Sequence, residues 1–216
     1  MRSQRLSAGG RELSDLLPTS GAGRRVLLGI AGAPGAGKST LALALRALVP
    51  AAAVVPLDGF HLADVELARR GLLDRKGAPE TFDAWGYAAL LARLRTRPDH
   101  LVMAPGFERN LEQPLAGAVP VPTQAILVVT EGNYLLLDEP GWRSARAELD
   151  TVWHVVVDDA VRRSRLVARH AAFGKTLAAA EEWVARVDEP NAAMVTAAGS
   201  RADLVLDLTD WRPPAG

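Results

Sequence analysis

The stretch GAPGAGKST, residues 32–40, constrains this chain more than any other. Gly32, Gly37, Lys38 and Ser39 satisfy the spacing G-x-x-x-x-G-K-[ST], in which glycines let backbone N–H groups curl around phosphate oxygens. The pattern has meaning only between a strand and a helix, and the flanking sequence supplies both. VLLGIAG (26–32) is a short apolar run ending in glycine, as a buried strand should be. KSTLALALRALV (38–49) carries Leu41, Leu45 and Leu48 at helical spacing. Strand, glycine turn and helix N-terminus together make a phosphate cradle, the P-loop. Gly32, Ala33, Pro34, Gly35, Ala36, Gly37, Lys38, Ser39 and Thr40 are therefore the expected nucleotide-binding residues. Lys38 is expected on the β and γ oxygens of ATP and Ser39 on Mg²⁺.

Four further runs read as strands: AAVVPLD (52–58), AILVVTEG (125–132), TVWHVVVD (151–158) and ADLVLDL (202–208). HLVMAPGF (100–107) reads as a shorter one, and LEQPLAGAVPVPTQ (111–124) as an ordered loop or hairpin. Helices are expected at ADVELARRG, stopped by Gly71, and at 84–97 with a stripe through Trp85, Ala88, Leu91 and Leu94 or their neighbours. Two more are expected at about 159–172 and 177–187. Strands alternating with helices predict an α/β fold, a five-stranded parallel sheet with helices on both faces. With 216 residues the chain has room for one such domain. That domain is expected over 26–210, after a partly mobile N-terminal extension (1–25) and before a tail (211–216) that should fray.

Composition removes several classes. The 25 basic and 25 acidic residues cancel, which argues against a broad nucleic-acid surface. The absence of cysteine excludes disulfides and thiolate-held metals. There is no run of about twenty apolar residues for a membrane span, nor an early apolar core of roughly 7–15 residues for a signal peptide, so the cytoplasm is expected. Lysine is rare: Lys38, Lys76 and Lys175 stand against 22 arginines. A chain that uses arginine wherever a positive charge will do invites a reason for each lysine.

If the cradle serves transfer, an acceptor hydroxyl needs a carboxylate beside the γ-phosphate. Functional groups of a parallel sheet gather at the carboxyl ends of its strands, and two acids sit there, Asp58 and Glu131. Asp58 followed by Gly59 also suits a plain turn, and Glu131 could be an incidental strand-end acid. Beside a P-loop they become coherent: Glu131 supporting the Mg²⁺ hydration shell, Asp58 receiving the acceptor's proton.

LDGFH (57–61), RKGAPETFD (75–83), PGFERNLEQP (105–114) and ILVVTEGNYLL (126–136), in that order after the P-loop, resemble the superfamily of uridine kinase, phosphoribulokinase and bacterial type I pantothenate kinase. The likeness runs from about residue 26 to the final strand and is nearest the small nucleoside/nucleotide-kinase-like branch, some members of which are labelled fructokinase. It implies the P-loop nucleoside triphosphate hydrolase fold with strand order 2-3-1-4-5. It also implies an ATP- and Mg²⁺-dependent kinase for a small alcohol such as a nucleoside, pantothenate or a sugar, and possible homodimerisation. In the family the aspartate after the second strand is the base, which falls on Asp58, and the strand-end glutamate falls on Glu131. The family's basic lid helix falls on VRRSRLVARH, with Arg165 and Arg169 facing the phosphates in a lid of about 159–176 that Lys175 would end. Phe107 and Arg109 replace a tyrosine and a histidine of the pantothenate kinase pattern, so the acceptor does not carry over.

The remaining candidates keep two readings each. Asp83 suits the acceptor pocket or the N-cap of the helix beginning AWGY. Lys76 suits an acceptor contact or a solvated charge, and His61 an acceptor contact or a polar wall. Arg109 suits an anion clamp or a surface pair with Glu108. Asn191 is a candidate adenine contact. The arginines 162, 163, 165 and 169 suit a lid or a solvated face. A switch-type NTPase, or a nucleotide binder without transfer, shares the cradle.

Overall fold

In the computed structural model, which describes residues 2–6, 12–18 and 24–213, the strand that leads into the P-loop is buried along its whole length. Chain order is β1 (Arg2–Arg5), α1 (Glu12–Leu16), β2 (Val26–Gly32), α2 (Lys38–Leu48) and β3 (Ala52–Pro56). Then come α3 (Asp64–Arg70), α4 (Ala84–Arg95), β4 (Val102–Glu108), β5 (Gln113–Val121) and β6 (Leu127–Glu131). The remainder is α5 (Pro140–Ala147), β7 (Thr151–Val156), α6 (Asp159–Ala172), α7 (Leu177–Trp183), α8 (Glu189–Ala198) and β8 (Leu204–Asp207).

The sheet is parallel and has six strands, not the expected five, in the order β1-β8-β7-β2-β6-β3. The sixth is β1, which pairs with β8 from Arg2↔Leu204 to Arg5↔Asp207. RSQR has no apolar alternation to announce a strand, and a polar edge strand needs none. The N-terminal stretch thus contributes to the sheet, although residues 1, 7–11 and 19–23 lie outside the described residues. At the other end Trp211 is buried, so the chain is held at least that far, while 214–216 are not described.

The period of two along β2 builds two cores. Val26, Leu28 and Ile30 pack with Leu41 and Leu45 of α2 and with Trp153. Leu27 and Ala31 face Tyr87, Leu91, Leu94 and Trp142 of α4 and α5. The α4 stripe is therefore Tyr87, Ala88, Leu91 and Leu94, and Trp85, expected within it, is 61% exposed. α5, unforeseen in the sequence, buries Trp142 and Ala145. The proline-rich stretch is a hairpin: β4 and β5 pair antiparallel, with a bulge between Ala104 and Gly106.

Arg25 closes the end of the sheet opposite the P-loop. It is 1% exposed, and its guanidinium donates to the carbonyls of Leu94 (3.1 Å), Pro122 (2.9 Å) and Ala125 (2.9 Å). Removing a buried donor set strands its acceptors without water. Arg25→Met is accordingly expected to cost about 3 kcal/mol, read as a lower urea midpoint with an unchanged m-value.

Candidate active site

Three strand ends and one turn build the site. β2 runs into the P-loop, where Gly37 (φ 97°) takes a left-handed conformation just before α2, freeing the helix N-terminus to face the cradle. Lys38, first residue of α2, is 9% exposed and donates to the carbonyl of Ala33 at 3.1 Å and to Asn133 Oδ1 at 2.7 Å. Burial pulls its pKa down, and the nearby charges of Glu131 and Asp58 oppose that pull.

β6 ends in Glu131, whose Oε1 accepts from Ser39 Oγ at 2.9 Å. Burial and the charge of Asp58 push the Glu131 carboxyl upward, with Lys38 and Ser39 acting against them. The residue beneath it, Thr130, donates to the carbonyl of Val55 at 2.7 Å and meets the Tyr87 hydroxyl at 2.6 Å. This buried bridge fixes β6 against β3 and α4 directly below the carboxylates.

β3 passes into a 3₁₀ turn, Leu57–Phe60, anchored by buried Leu57 and by Phe60 edge-on to Tyr87 at 5.2 Å. Gly59 is needed there because a Cβ would lie 2.4 Å from the carbonyl oxygen of Pro105, so close does the hairpin approach. The turn leaves the Asp58 carboxylate 40% exposed and 3.6 Å from Arg109 Nη2. Arg109 is thus paired with Asp58, and Glu108 instead accepts from the backbone N–H of Asn110 at 3.0 Å.

Two cavities meet at Gly35, Lys38, Ser39 and Arg169. One, of about 350 Å³, is also lined by Ala36, Gly37 and Thr40 of the P-loop, by Arg165, and by Leu208, Trp211 and Arg212. The other, of about 430 Å³, is lined by Pro34, Asp58, His61, Lys76, Arg109 and Glu131. Lys38 and Asp58 therefore share a cleft. Of the arginine run, Arg162 and Arg163 bind Glu189 of α8 at 2.6 and 2.9 Å, whereas Arg165 and Arg169 reach the cavities. α6 is pinned at its other end by His170 Nε2 against Asp188 Oδ2 at 2.8 Å, Asp188 closing a π-helical turn, Val184–Asp188.

Several expectations need correction. Asp83 takes the N-cap reading: its Oδ1 accepts from Gly86 N–H at 2.8 Å, and it does not line the cavity of about 430 Å³. Lys76 lines that cavity but is satisfied, donating to Asp64 Oδ1 at 2.6 Å and to the carbonyl of Glu112. It ties the loop after α3 to the hairpin. Asn191 lines the cavity that holds Asp58, away from the one walled by Trp211. Gly32 lines neither cavity; it ends β2, where a Cβ would meet the Val155 carbonyl at 2.7 Å. Asn133, the partner of Lys38, was not foreseen, and nothing in EGNY marks it until Lys38 is in place.

Fold and cleft define a P-loop phosphotransferase with an alcohol acceptor. No protein-family model matches the chain. It is 34% identical over 193 residues to an uncharacterized Escherichia coli protein, YggC, covering 87% of this chain and 79% of that one. A Schizosaccharomyces pombe protein provisionally named a uridine kinase is 34% identical over 175 residues, covering 76% and 74%. The crystal structure of a protein from Silicibacter sp. TM1040, provisionally named a fructose transport system kinase, matches with TM-score 0.79 and 41% identity over 90% of this chain and 94% of that one. The chain belongs to the uridine kinase-like family of P-loop kinases that these relatives represent. Among the described residues no helix is long and apolar enough to cross a membrane.

Two outcomes are expected. Asp83→Ala should lower stability by about 1 kcal/mol, the worth of a lost N-cap, and leave the acceptor KM within about twofold. His61, its ring 3.9 Å from that of Phe82 and 4.9 Å from that of Phe107, has its pKa lowered by burial. A depressed folded pKa means the unfolded chain binds the proton more readily, so this stability is complete above about pH 6.5 and is lost as pH falls below it. Urea midpoints at pH 8 and pH 5 should show the advantage of the wild type over His61→Gln shrinking with acid.

Proposed function

We propose that the chain transfers the γ-phosphoryl group of ATP to a hydroxyl of a small metabolite held in the cleft between Lys38 and Asp58. The observation that carries this reading is that the cradle lysine and an open carboxylate line one cavity, which continues into a second cavity along the P-loop. The triphosphate is assigned to the P-loop, with the nucleoside toward Leu208, Trp211 and Arg212. The acceptor is assigned to the side of Asp58.

Transfer then needs little covalent work from the protein. The acceptor oxygen forms a bond to the γ-phosphorus as the bond from that phosphorus to the β–γ bridging oxygen breaks. The hydroxyl proton passes to Asp58, and ADP leaves. Lys38, Arg165 and Arg169 spread positive charge around the transferred group, and the partly closed cleft limits water as a competing acceptor.

Magnesium fits the residues present. Among the described residues no group of three or more His, Cys, Asp or Glu side chains forms a metal cage. A kinase magnesium uses few protein ligands, keeping waters and taking substrate phosphate oxygens. The Ser39 hydroxyl against the Glu131 carboxylate is such a donor set: Ser39 would bind the ion and Glu131 would hold its hydration shell. When bound, the ion would neutralise charge on the β and γ oxygens.

A switch-type NTPase would turn over without an acceptor, which gives the discriminating assay. ADP release is expected to depend on added alcohol, and acceptor-independent turnover at the same rate would favour the NTPase. Asp58→Asn should lower kcat by about 10²–10⁴-fold, the usual worth of a positioned base, while ATP binding by calorimetry persists. Undiminished phosphorylation removes Asp58 from the mechanism.

A further inference from the structure

The chain's three lysines, scattered at 38, 76 and 175 in the sequence, all line the acceptor-side cavity, whereas among the described arginines only Arg109 and Arg169 do. Two of the lysines have evident work. Lys38 belongs to the cradle, and Lys76 is consumed by Asp64 and the Glu112 carbonyl. Lys175 has no such partner. Its ammonium lies over the ring of Trp183, 4.4 Å from the centroid, and among the described residues it forms no ion pair. An aromatic face steadies a cation without cancelling its charge.

Arg109 is placed alike. Its guanidinium stands 6.0 Å from the Phe173 ring, and its carboxylate partner, Asp58, is 3.6 Å away with both side chains well exposed. Such a pair holds little energy, so a ligand anion can replace it. Neither Arg109 nor Lys175 lines the cavity assigned to the nucleotide, so the triphosphate is left to Lys38, Arg165 and Arg169. The acids of the acceptor side do not balance these two cations. Asp58 and Glu131 serve the reaction, Asp188 is buried against His170, and Glu112 alone remains.

We propose that the acceptor is a small alcohol bearing an anionic group, a carboxylate or a phosphate ester, read by Arg109 and Lys175. This rests on the transfer reading above and names its substrate class. Arg109 offers a planar fork suited to two anion oxygens, and Lys175 a compact point charge. Because Arg109 is beside Asp58, the anion lies only a few bonds from the hydroxyl that reacts.

Matched acceptors test this with the full-length chain: glycerate and glycerol 3-phosphate against glycerol, and pantothenate against its neutral alcohol analogue pantothenol. Binding is measured by calorimetry on the protein loaded with ADP and Mg²⁺, and turnover by ADP release from ATP. The anionic member of at least one pair should bind at least about tenfold more tightly than the neutral member. The carboxylate and phosphate arms identify which anion it is. That ratio should fall toward one in Lys175→Gln and in Arg109→Gln and persist in Lys175→Arg. Equal or better binding of the neutral members, binding of none of the compounds, or a ratio that survives both glutamine variants overturns the assignment. Selective anion binding without ADP release keeps it and sinks the transfer reading; turnover of neutral members alone does the reverse.

Discussion

A lysine ammonium buried at the centre of the molecule sets the terms for everything around it. An ion of that size taken from water costs several kcal/mol unless hydrogen bonds and opposite charge replace its hydration. Lys38 receives two acceptors, the Ala33 carbonyl and the Asn133 amide oxygen, and the fields of Glu131 and Asp58. These four partners come from three parts of the sheet: the turn after β2, the end of β6 and the 3₁₀ turn after β3. The strands must therefore keep register at their carboxyl ends, which is what the Thr130 bridge to Val55 and Tyr87 secures. The dependence runs both ways, since Glu131 is tolerable in its buried position because Lys38 and Ser39 stand beside it.

This explains what could be read from the sequence. The P-loop is local: strand, glycines, lysine and helix lie within about twenty residues and each signals itself by period or residue type. Asp58 and Glu131 were legible because each ends an apolar run, and strand ends are where a parallel sheet exposes chemistry. Parts made by distant segments were not legible. Asn133 matters only because Lys38 points at it, and the His170–Asp188 pair joins residues eighteen apart across a π-helical turn. Lys76 and Asp83 show where a sequence leaves two readings open. Both carry the right chemistry in a stretch that resembles an acceptor loop, yet local needs, a hairpin tie and a helix cap, take up their polar atoms. The edge strand β1 escaped because its pairing is by backbone alone and its side chains are polar.

The arginine run on α6 separates by facing. Residues 162 and 163 spend their charge on Glu189, and Arg162 does so almost fully buried, at 4% exposure. Residues 165 and 169, one helical turn apart, are left over the cavities. A sequence alone cannot divide such a run, because helical spacing says which charges share a face and not which face meets the cleft.

That division bears on how the cavity-lining arginines are held. α6 is fixed near its start by Arg162 on α8 and in its last turn by His170 on the π-helical turn, with Leu166 buried between. Arg165 and Arg169 project from the span between these tethers. Their backbone positions are thus set by folding, and only side-chain rotamers need settle when a phosphate arrives. Ordering two arginine side chains costs about 1–3 kcal/mol, far less than docking an untethered fourteen-residue helix would. Positive charge held in advance around a phosphoryl group is also the form of electrostatic help that needs no reorganisation during transfer. The wall of the cleft that carries these arginines is thus held at both ends of α6 by contacts made on folding.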